Sequence, residues 1–245
     1  MKRDIPALSG ADATTVRLDG VDLLSFHGCG YLGLAHDPRV RAAAHEAIDQ
    51  FGVSGLASRN TSGNLELHER LEERLSEFFG AEAALVLADG YLADIAAAQA
   101  LSCRPGEGPT PAERVALHDA DAHPSITDAL TSAGFRSFSY GAGDMSHALA
   151  LLDLHKDAAP LVATDGAFAM HGRLAPAAEL LRHLPASAHM LIDDSHGVGV
   201  VGRTGRGVVE AAAYEFAETE PMVAAGSEIT GCDYKATWGR YDVLC

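Results

Sequence analysis

Leu191-Ile192-Asp193-Asp194-Ser195-His196-Gly197-Val198-Gly199 sets two adjacent carboxylates, a hydroxyl, an imidazole and two glycines directly behind a short apolar run. The run from His189 to Ile192 has the length of a buried strand, so the acids and the histidine fall at its carboxyl end. In an open parallel sheet, that edge is where ligands bind. An acid there can pair with a cationic ring nitrogen, and a histidine three residues on can reach the same ligand. Taken alone, the stretch reads equally as a polar strand-to-loop junction satisfied by its own backbone.

Four other places gather polar or glycine residues at the ends of expected elements. Asp89-Gly90-Tyr91 lies between a strand and a helix, where backbone N–H groups can hold a phosphate at the helix start; an ordinary glycine turn is the alternative. His123, behind Asp119-Ala120-Asp121-Ala122, stands at the next strand-to-helix junction, either stacking on an aromatic ligand or simply opening the helix. Thr164-Asp165-Gly166 ends a further strand and presents an acid or a turn. Gly55 to Gly63 is a glycine- and hydroxyl-rich loop that binds something or leads into a helix capped by Asn64. Together, a phosphate turn, a stacking ring and an acid at one sheet edge suit a flat, phosphorylated, cationic heteroaromatic such as pyridoxal phosphate, whose chemistry needs an acid on the ring nitrogen.

The elements that must position these residues alternate along the chain. A polar arm covers residues 1–25. Helices are expected over Asp37 to Phe51, with Val40, Ala43, Ala44 and Ile48 on one face, and over Asn64 to Phe79. Beyond them come a strand at Ala84 to Leu87, a helix at Tyr91 to Leu101, a strand at Arg114 to Leu117 and a helix at Pro124 to Ala133. A strand at Ser137 to Tyr140, a helix at Ser146 to His155, a strand at Leu161 to Thr164, a helix at Pro176 to Leu184 and the strand at His189 complete the series. Such alternation implies a mostly parallel sheet covered on both faces. After a helical piece at Val208 to Phe216, Ser227 to Cys245 has neither the helical nor the strand period.

Composition sets outer bounds. A chain of 245 residues, 47% hydrophobic and 21% charged, can bury a real core. Eighteen basic against 34 acidic side chains give a net charge of −16, which argues against nucleic acid or an anionic membrane as partner. Met1-Lys2-Arg3-Asp4-Ile5-Pro6 lacks the apolar core of a signal peptide, and no apolar stretch approaches the ~18 residues of a membrane span. Cys29, Cys103, Cys232 and Cys245 are scattered without metal-ligand spacing, which points to a reduced, cytoplasmic setting. The twelve histidines show no ligand spacing either, so no metal site is expected.

In its ordered motifs the chain resembles the α-oxoamine synthases, pyridoxal-phosphate enzymes that include 8-amino-7-oxononanoate synthase, glycine C-acetyltransferase, 5-aminolevulinate synthase and serine palmitoyltransferase. The resemblance runs from Tyr31-Leu32-Gly33-Leu34 through Ser58-Arg59, Gly63, His68, Gly90-Tyr91-x-Ala93 and His123-x-Ser125-Ile126. It continues through Thr164-Asp165-Gly166-x-Phe168-x-Met170-x-Gly172 and Asp193-Asp194-Ser195-His196-Gly197 to Gly202-Arg203-Thr204-Gly205-Arg206-Gly207. It implies the large domain of the aspartate-aminotransferase-like (type I pyridoxal-phosphate) α/β fold. The corresponding organisation is an N-terminal arm over 1–36, an incomplete cofactor-binding domain over 37–210 and a divergent tail over 211–245, with the C-terminal small domain absent.

Position by position, the resemblance implies that Gly90 and Tyr91 meet the cofactor phosphate and that His123 stacks on the pyridine ring. It further implies that Asp193 pairs with the ring nitrogen and that His196 lies near the phenolic oxygen, with His123, Asp193 and His196 as the catalytic set. It implies condensation of an amino acid with an acyl-CoA by a homodimer. There are departures. Gly30 stands where the family has Asn, and Ala169 where it has Ser, so one hydrogen bond to the cofactor is expected to be missing. The family's Ser-Lys segment, whose lysine carries the cofactor, has no counterpart; of Lys2, Lys156 and Lys235, only Lys235 follows Asp193. Two other classes therefore stand beside the acyltransferase: a catalytically inactive relative that binds cofactor or a partner subunit, and a class I/II aminotransferase.

Overall fold

A computed structural model describes residues 6–102, 114–185, 187–219 and 243–244. The chain divides into two units, Met1–Arg70 and Leu71–Cys245.

In the first unit, the expected polar arm is an antiparallel three-stranded sheet: β1 (Leu8–Ala11), β2 (Thr15–Leu18) and β3 (Val21–Leu24). Asp19 and Gly20 connect β2 to β3 with φ of 50° and 80°. An Asp-Gly pair at positive φ is the turn whose twist matches a hairpin. Arg17 and Asp22 face each other across that hairpin at 2.6 Å. Helix α1 (Pro38–Phe51) starts where Pro38 presets φ and the Asp37 carboxylate takes the Arg39 N–H. Helix α2 (Glu66–Phe79), which runs from the first unit into the second, begins two residues after its expected start. Asn64 is occupied with the Glu69 carboxylate, and the Leu65 N–H donates to His68 Nδ1. Neither α1 nor α2 contains a buried residue.

The second unit holds a parallel sheet. Its strands are β4 (Val115–Asp119), β5 (Arg136–Tyr140), β6 (Leu161–Asp165), β7 (His189–Asp193) and β8 (Val243–Leu244), in the order β5-β4-β6-β7-β8. Every adjacent pair is parallel. The intervening helices are α3 (Gly90–Ser102), α4 (Pro124–Ser132), α5 (Met145–His155), α6 (Ala177–His183) and α7 (Val208–Thr219). Strand side chains alternate between the two faces, and the buried clusters follow that period of two. Val115, Leu117, Val162, Met190 and Ile192 pack with α5, α6 and α7. Ala116, Leu161, Ala163 and Leu191 pack with α3 and α4 on the other side. On that side Ala116 and Ala163, with small side chains, admit the Ala-rich α3 and the buried Ile126 and Leu130 of α4.

Two expectations need correction. Ala84 to Leu87 forms no strand. A strand needs a ladder partner, and here the Val86 N–H donates instead to Glu72 Oε1 at 2.8 Å. In the tail, where no strand was expected, Val243 and Leu244 pair with Leu191 and Ile192. The pattern missed it because two residues cannot display a period.

The order of the strands matters for function. From β4 the chain moves outward to β5, then crosses back over β4 to reach β6 and β7. The direction of winding therefore reverses between β4 and β6, and in open α/β sheets the crevice at the carboxyl ends of such strands takes the ligand.

Candidate functional site

A cavity of about 360 Å³ opens at that crevice. It is walled by the start of α3 (Gly90, Tyr91), the β4–α4 junction (Asp121 to Ser125), the end of β6 with its turn (Asp165, Phe168 to His171) and the end of β7 (Asp193, Ser195, His196). All five residues expected at the site, Gly90, Tyr91, His123, Asp193 and His196, line this one cavity.

Each wall is held by local chemistry. At α3, Asp89 caps the helix by accepting the Leu92 N–H at 2.8 Å. The Gly90 and Tyr91 N–H groups, which precede it, have no acceptor among the described residues and carry the partial positive charge of the helix start. The Tyr91 hydroxyl is turned away to Asp128 on α4 (2.8 Å).

At the β4–α4 junction, His123 is the N-cap of α4 and its Nδ1 accepts the Ser125 N–H (3.3 Å), with Ser125 Oγ at 2.6 Å. With Nδ1 accepting, the proton of the neutral ring sits on Nε2. The His123 backbone N–H donates to the Asp165 carboxylate, 3.2 Å from each oxygen. Asp165 and Asp193 are register partners on β6 and β7, both buried. Burial, reinforced by the charge of Asp193 and opposed by the His123 N–H, pushes the Asp165 carboxyl up to about 6. Asp193 Oδ1 takes the Ser195 N–H at 2.9 Å; Oδ2 accepts nothing among the described residues.

Farther from the cavity centre, buried Asp119 holds the neighbouring turns together. It accepts the Asp121 and Gly143 N–H groups and the Arg173 guanidinium (3.0 Å), which lies 3.6 Å over the Phe168 ring.

Asp194, adjacent to Asp193 in the opening motif, does not line the cavity. It points the other way into a cradle of Gly166, Gly197 and Gly207, where an added Cβ at any of the three would overlap its carboxylate. Oδ2 accepts the Val208 N–H at 2.6 Å and thereby holds the start of α7 to the end of β7. Fully buried Glu210 clamps the following loop by accepting the Thr204 N–H and hydroxyl and the Arg206 N–H. The second acid of the pair is therefore a strut, and the first is open to a ligand.

Burial pushes the Asp194 carboxyl up to about 7, with the Val208 N–H pulling it down and the Asp193 charge pushing it up. A carboxyl raised in the fold contributes stability below its unfolded value near 4 and loses it as pH rises through about 7. Asp194→Asn, which cannot ionise, should therefore gain on the wild type between pH 5 and pH 8.5. At about 1.4 kcal/mol per pKa unit, the roughly two units between pH 5 and the folded value set a ceiling of ~3 kcal/mol on that gain. Melting curves of both chains at four pH values check this; a difference in melting temperature independent of pH would refute it.

Asp165, Ser125 and Ser195 complete the site beyond the expected set. Asp165 and Ser125 were legible as motif residues, but their link to His123 spans separate junctions and no spacing encodes it. Ala169 lines the cavity with a methyl where the family pattern offers a hydroxyl. Lys156 pairs with Asp153 (2.9 Å) and is not among the lining residues. Lys2 and Lys235 lie outside the described residues.

The donor set suits a phosphorylated pyridinium: two helix-start N–H groups, an imidazole with its ring plane set, and a buried carboxylate with one oxygen open. Opposite charges and donors are thus spread around a single cavity.

Comparison with known proteins agrees. The aminotransferase class I and II family model matches residues 24–227. The chain is 38% identical over 210 residues to the 8-amino-7-oxononanoate synthase of Geobacter sulfurreducens, covering 85% of this chain and 52% of that protein. It is 35% identical over 221 residues to that of Hahella chejuensis, covering 90% and 53%. The solved serine palmitoyltransferase of Sphingomonas wittichii superposes with a TM-score of 0.74 at 30% identity, covering 83% and 50%. A Francisella tularensis 8-amino-7-oxononanoate synthase structure, at 20% identity and a TM-score of 0.62, shares the fold. The chain spans about half the length of the curated relatives it matches. Motif order, sheet topology and these matches together establish that the chain belongs to the aminotransferase class I and II family, in its pyridoxal-phosphate-dependent α-oxoamine synthase branch.

Proposed function

We propose that this chain provides the pyridoxal-phosphate-binding domain of an α-oxoamine synthase, joining an amino acid to the acyl group of an acyl-CoA with release of the thiol. The observation that carries this reading is the convergence of Gly90, Tyr91, His123, Asp193 and His196 on one cavity at the switch point of the sheet. When bound, the cofactor supplies an electron sink for negative charge at the amino-acid α-carbon. The chain's own groups do the rest. Asp193 Oδ2 would hold the proton on the ring nitrogen, and His123 and His196, which line the same cavity, would hold the ring through its face and its phenolic oxygen. The Gly90 and Tyr91 N–H groups receive the phosphate at the start of α3.

Supporting a homodimer, Phe26, Val53 and Leu56 of the first unit are each at least 89% exposed, which a second copy would cover. No helix of the described residues is long and apolar enough to cross a membrane, and a cytoplasmic location suits the scattered cysteines.

Titration of the full chain with pyridoxal phosphate and with phosphate-free pyridoxal, followed by absorbance, tests the reading. Tight uptake of the first, with at least about tenfold weaker uptake of the second, is expected from charge-assisted bonds at the helix start. No uptake of either would refute it. Release of thiol from acyl-CoAs across a panel of amino acids then tests the transferase assignment.

A second reading is favoured by the position of Lys156, away from the cavity. On that reading the chain holds the cofactor without a covalent link and is not an acyltransferase. Borohydride treatment of the loaded chain separates the two: a reduced adduct mapped to Lys235 supports the enzyme, and an unmodified chain supports the binding protein.

A further inference from the structure

Asp165 has no part in the proposed chemistry, yet its placement is costly. It is a carboxylate 6% exposed at the end of β6, in register with a second buried carboxylate, Asp193, on β7. A buried charge beside a like charge is disfavoured unless specific partners compensate it. The partner here is the backbone N–H of His123, shared between both carboxylate oxygens at 3.2 Å. That N–H belongs to the N-cap of α4, a position outside the helix ladder, so the helix itself cannot supply its acceptor.

The imidazole of His123 is fixed at two points. Ser125, itself buried, sets the ring plane through Nδ1. Asp165 sets the backbone from which the ring projects. Ser125 lies two residues along the same junction and moves with it, whereas Asp165 sits on a different strand, 42 residues away. Beyond the β4–β6 ladder, Asp165 ties the junction itself to the strand beside the one that presents Asp193.

We infer that Asp165 is a positioning residue for His123: by anchoring the β4–α4 junction to the end of β6, it sets where the imidazole stands in the cavity relative to Asp193. The inference rests on the proposed reading that this cavity receives pyridoxal phosphate. Because the role is one of accepting an N–H, an amide oxygen at the same place can serve it.

The test uses the full chain in five forms: wild type, Asp165→Ala, Asp165→Asn, His123→Ala and the double Asp165→Ala/His123→Ala. Pyridoxal phosphate is titrated by absorbance, and the visible circular dichroism of the saturated chain is recorded. That signal reports how the protein seats the chromophore, which a general loss of stability would not alter at saturation.

Asp165→Ala should weaken uptake about tenfold, equivalent to about 1.4 kcal/mol, and reduce the ellipticity per bound cofactor as His123→Ala does. The double variant should match His123→Ala within about twofold, since two residues acting through one another are not additive. Asp165→Asn should return to within about threefold of wild type. If Asp165→Ala does not fold, Asp165→Leu, which fills the same space without an acceptor, takes its place.

Wild-type affinity and ellipticity in Asp165→Ala would overturn the inference. So would losses that multiply in the double variant, which would place Asp165 in direct action on the ligand, or an Asp165→Asn chain as weak as Asp165→Ala. A wild-type chain that takes up no pyridoxal phosphate overturns the proposed function as well; uptake by wild type with an unaffected Asp165→Ala overturns only this inference.

Discussion

Asp193→Asn is expected to lower the affinity for pyridoxal phosphate at least about a hundredfold, with the melting temperature of the free chain changed by no more than a few degrees. The asymmetry follows from the two oxygens of Asp193. Oδ1 takes the Ser195 N–H, a role the Asn oxygen reproduces, so the turn after β7 stays in place. Oδ2 is the oxygen proposed to hold the ring-nitrogen proton, and the Asn amide would present a donor to it. Replacing one partner of a desolvated charge pair costs about 2–5 kcal/mol, and a hundredfold corresponds to about 2.7 kcal/mol, at the low end of that range.

A cofactor analogue with carbon in place of the ring nitrogen makes the test specific. The analogue should bind wild type and Asp193→Asn about equally, because neither has a ring proton to hold. Equal binding of pyridoxal phosphate itself by the two chains would remove Asp193 from the site. The affinity loss, confined to ligands with the ring nitrogen, is a stronger criterion than loss of activity.

The largest effect on stability is expected at Gly207. Its φ is +88°, in the left-handed region, and an alanine methyl there would overlap Asp194 Oδ2. That oxygen is the acceptor of the Val208 N–H and has nowhere to go, since Gly166 and Gly197 close the cradle from the other sides. Gly207→Ala therefore combines backbone strain with a clash against a buried carboxylate, for a cost of roughly 3–5 kcal/mol. For a chain of this size that is a fall of about 10 °C in melting temperature.

Gly172→Ala is the control. Its φ is +63° but nothing lies within 4 Å of the added Cβ, so it carries backbone strain alone, about 1 kcal/mol. Equal melting temperatures for the two variants would mean that the Asp194 cradle does not constrain the fold. The cradle also links stability to the site, because the strut it holds is the residue next to Asp193.

The helices and strands of the second unit were legible because their packing is regular. In β4, β6 and β7, alternate residues serve opposite faces, and the apolar runs that result announce buried strands. His123, readable as a residue that opens a helix, acts on the Ser125 N–H two residues away, within reach of a local reading. The cap expected at Asn64 is not made, because its oxygen takes the Arg59 Nε–H and its amide goes to Glu69. The hairpin of β2 and β3 is also written locally, in Asp19-Gly20 between two short runs, within the stretch that polarity alone marks as an arm. The strand expected at Ala84 failed because a ladder needs a partner. Val86 gives its N–H to Glu72, a residue of α2 that no period links to it.

The sequence by itself determined which residues stand at the carboxyl ends of strands, and so which side chains can meet a ligand; strand ends are a matter of local pattern. Only the tertiary structure decided how they share the work. Asp193 and Asp194 are neighbours of the same type, yet one faces the cavity and the other is locked among three glycines, because successive residues leaving a strand point to opposite sides. Asp165 could be read only as an acid or a turn until β6 was found beside β7, with the N–H of His123 brought to it from another junction. Such pairings are made by strand order, a long-range property set by how the whole sheet buries its two faces, and local sequence carries no record of it.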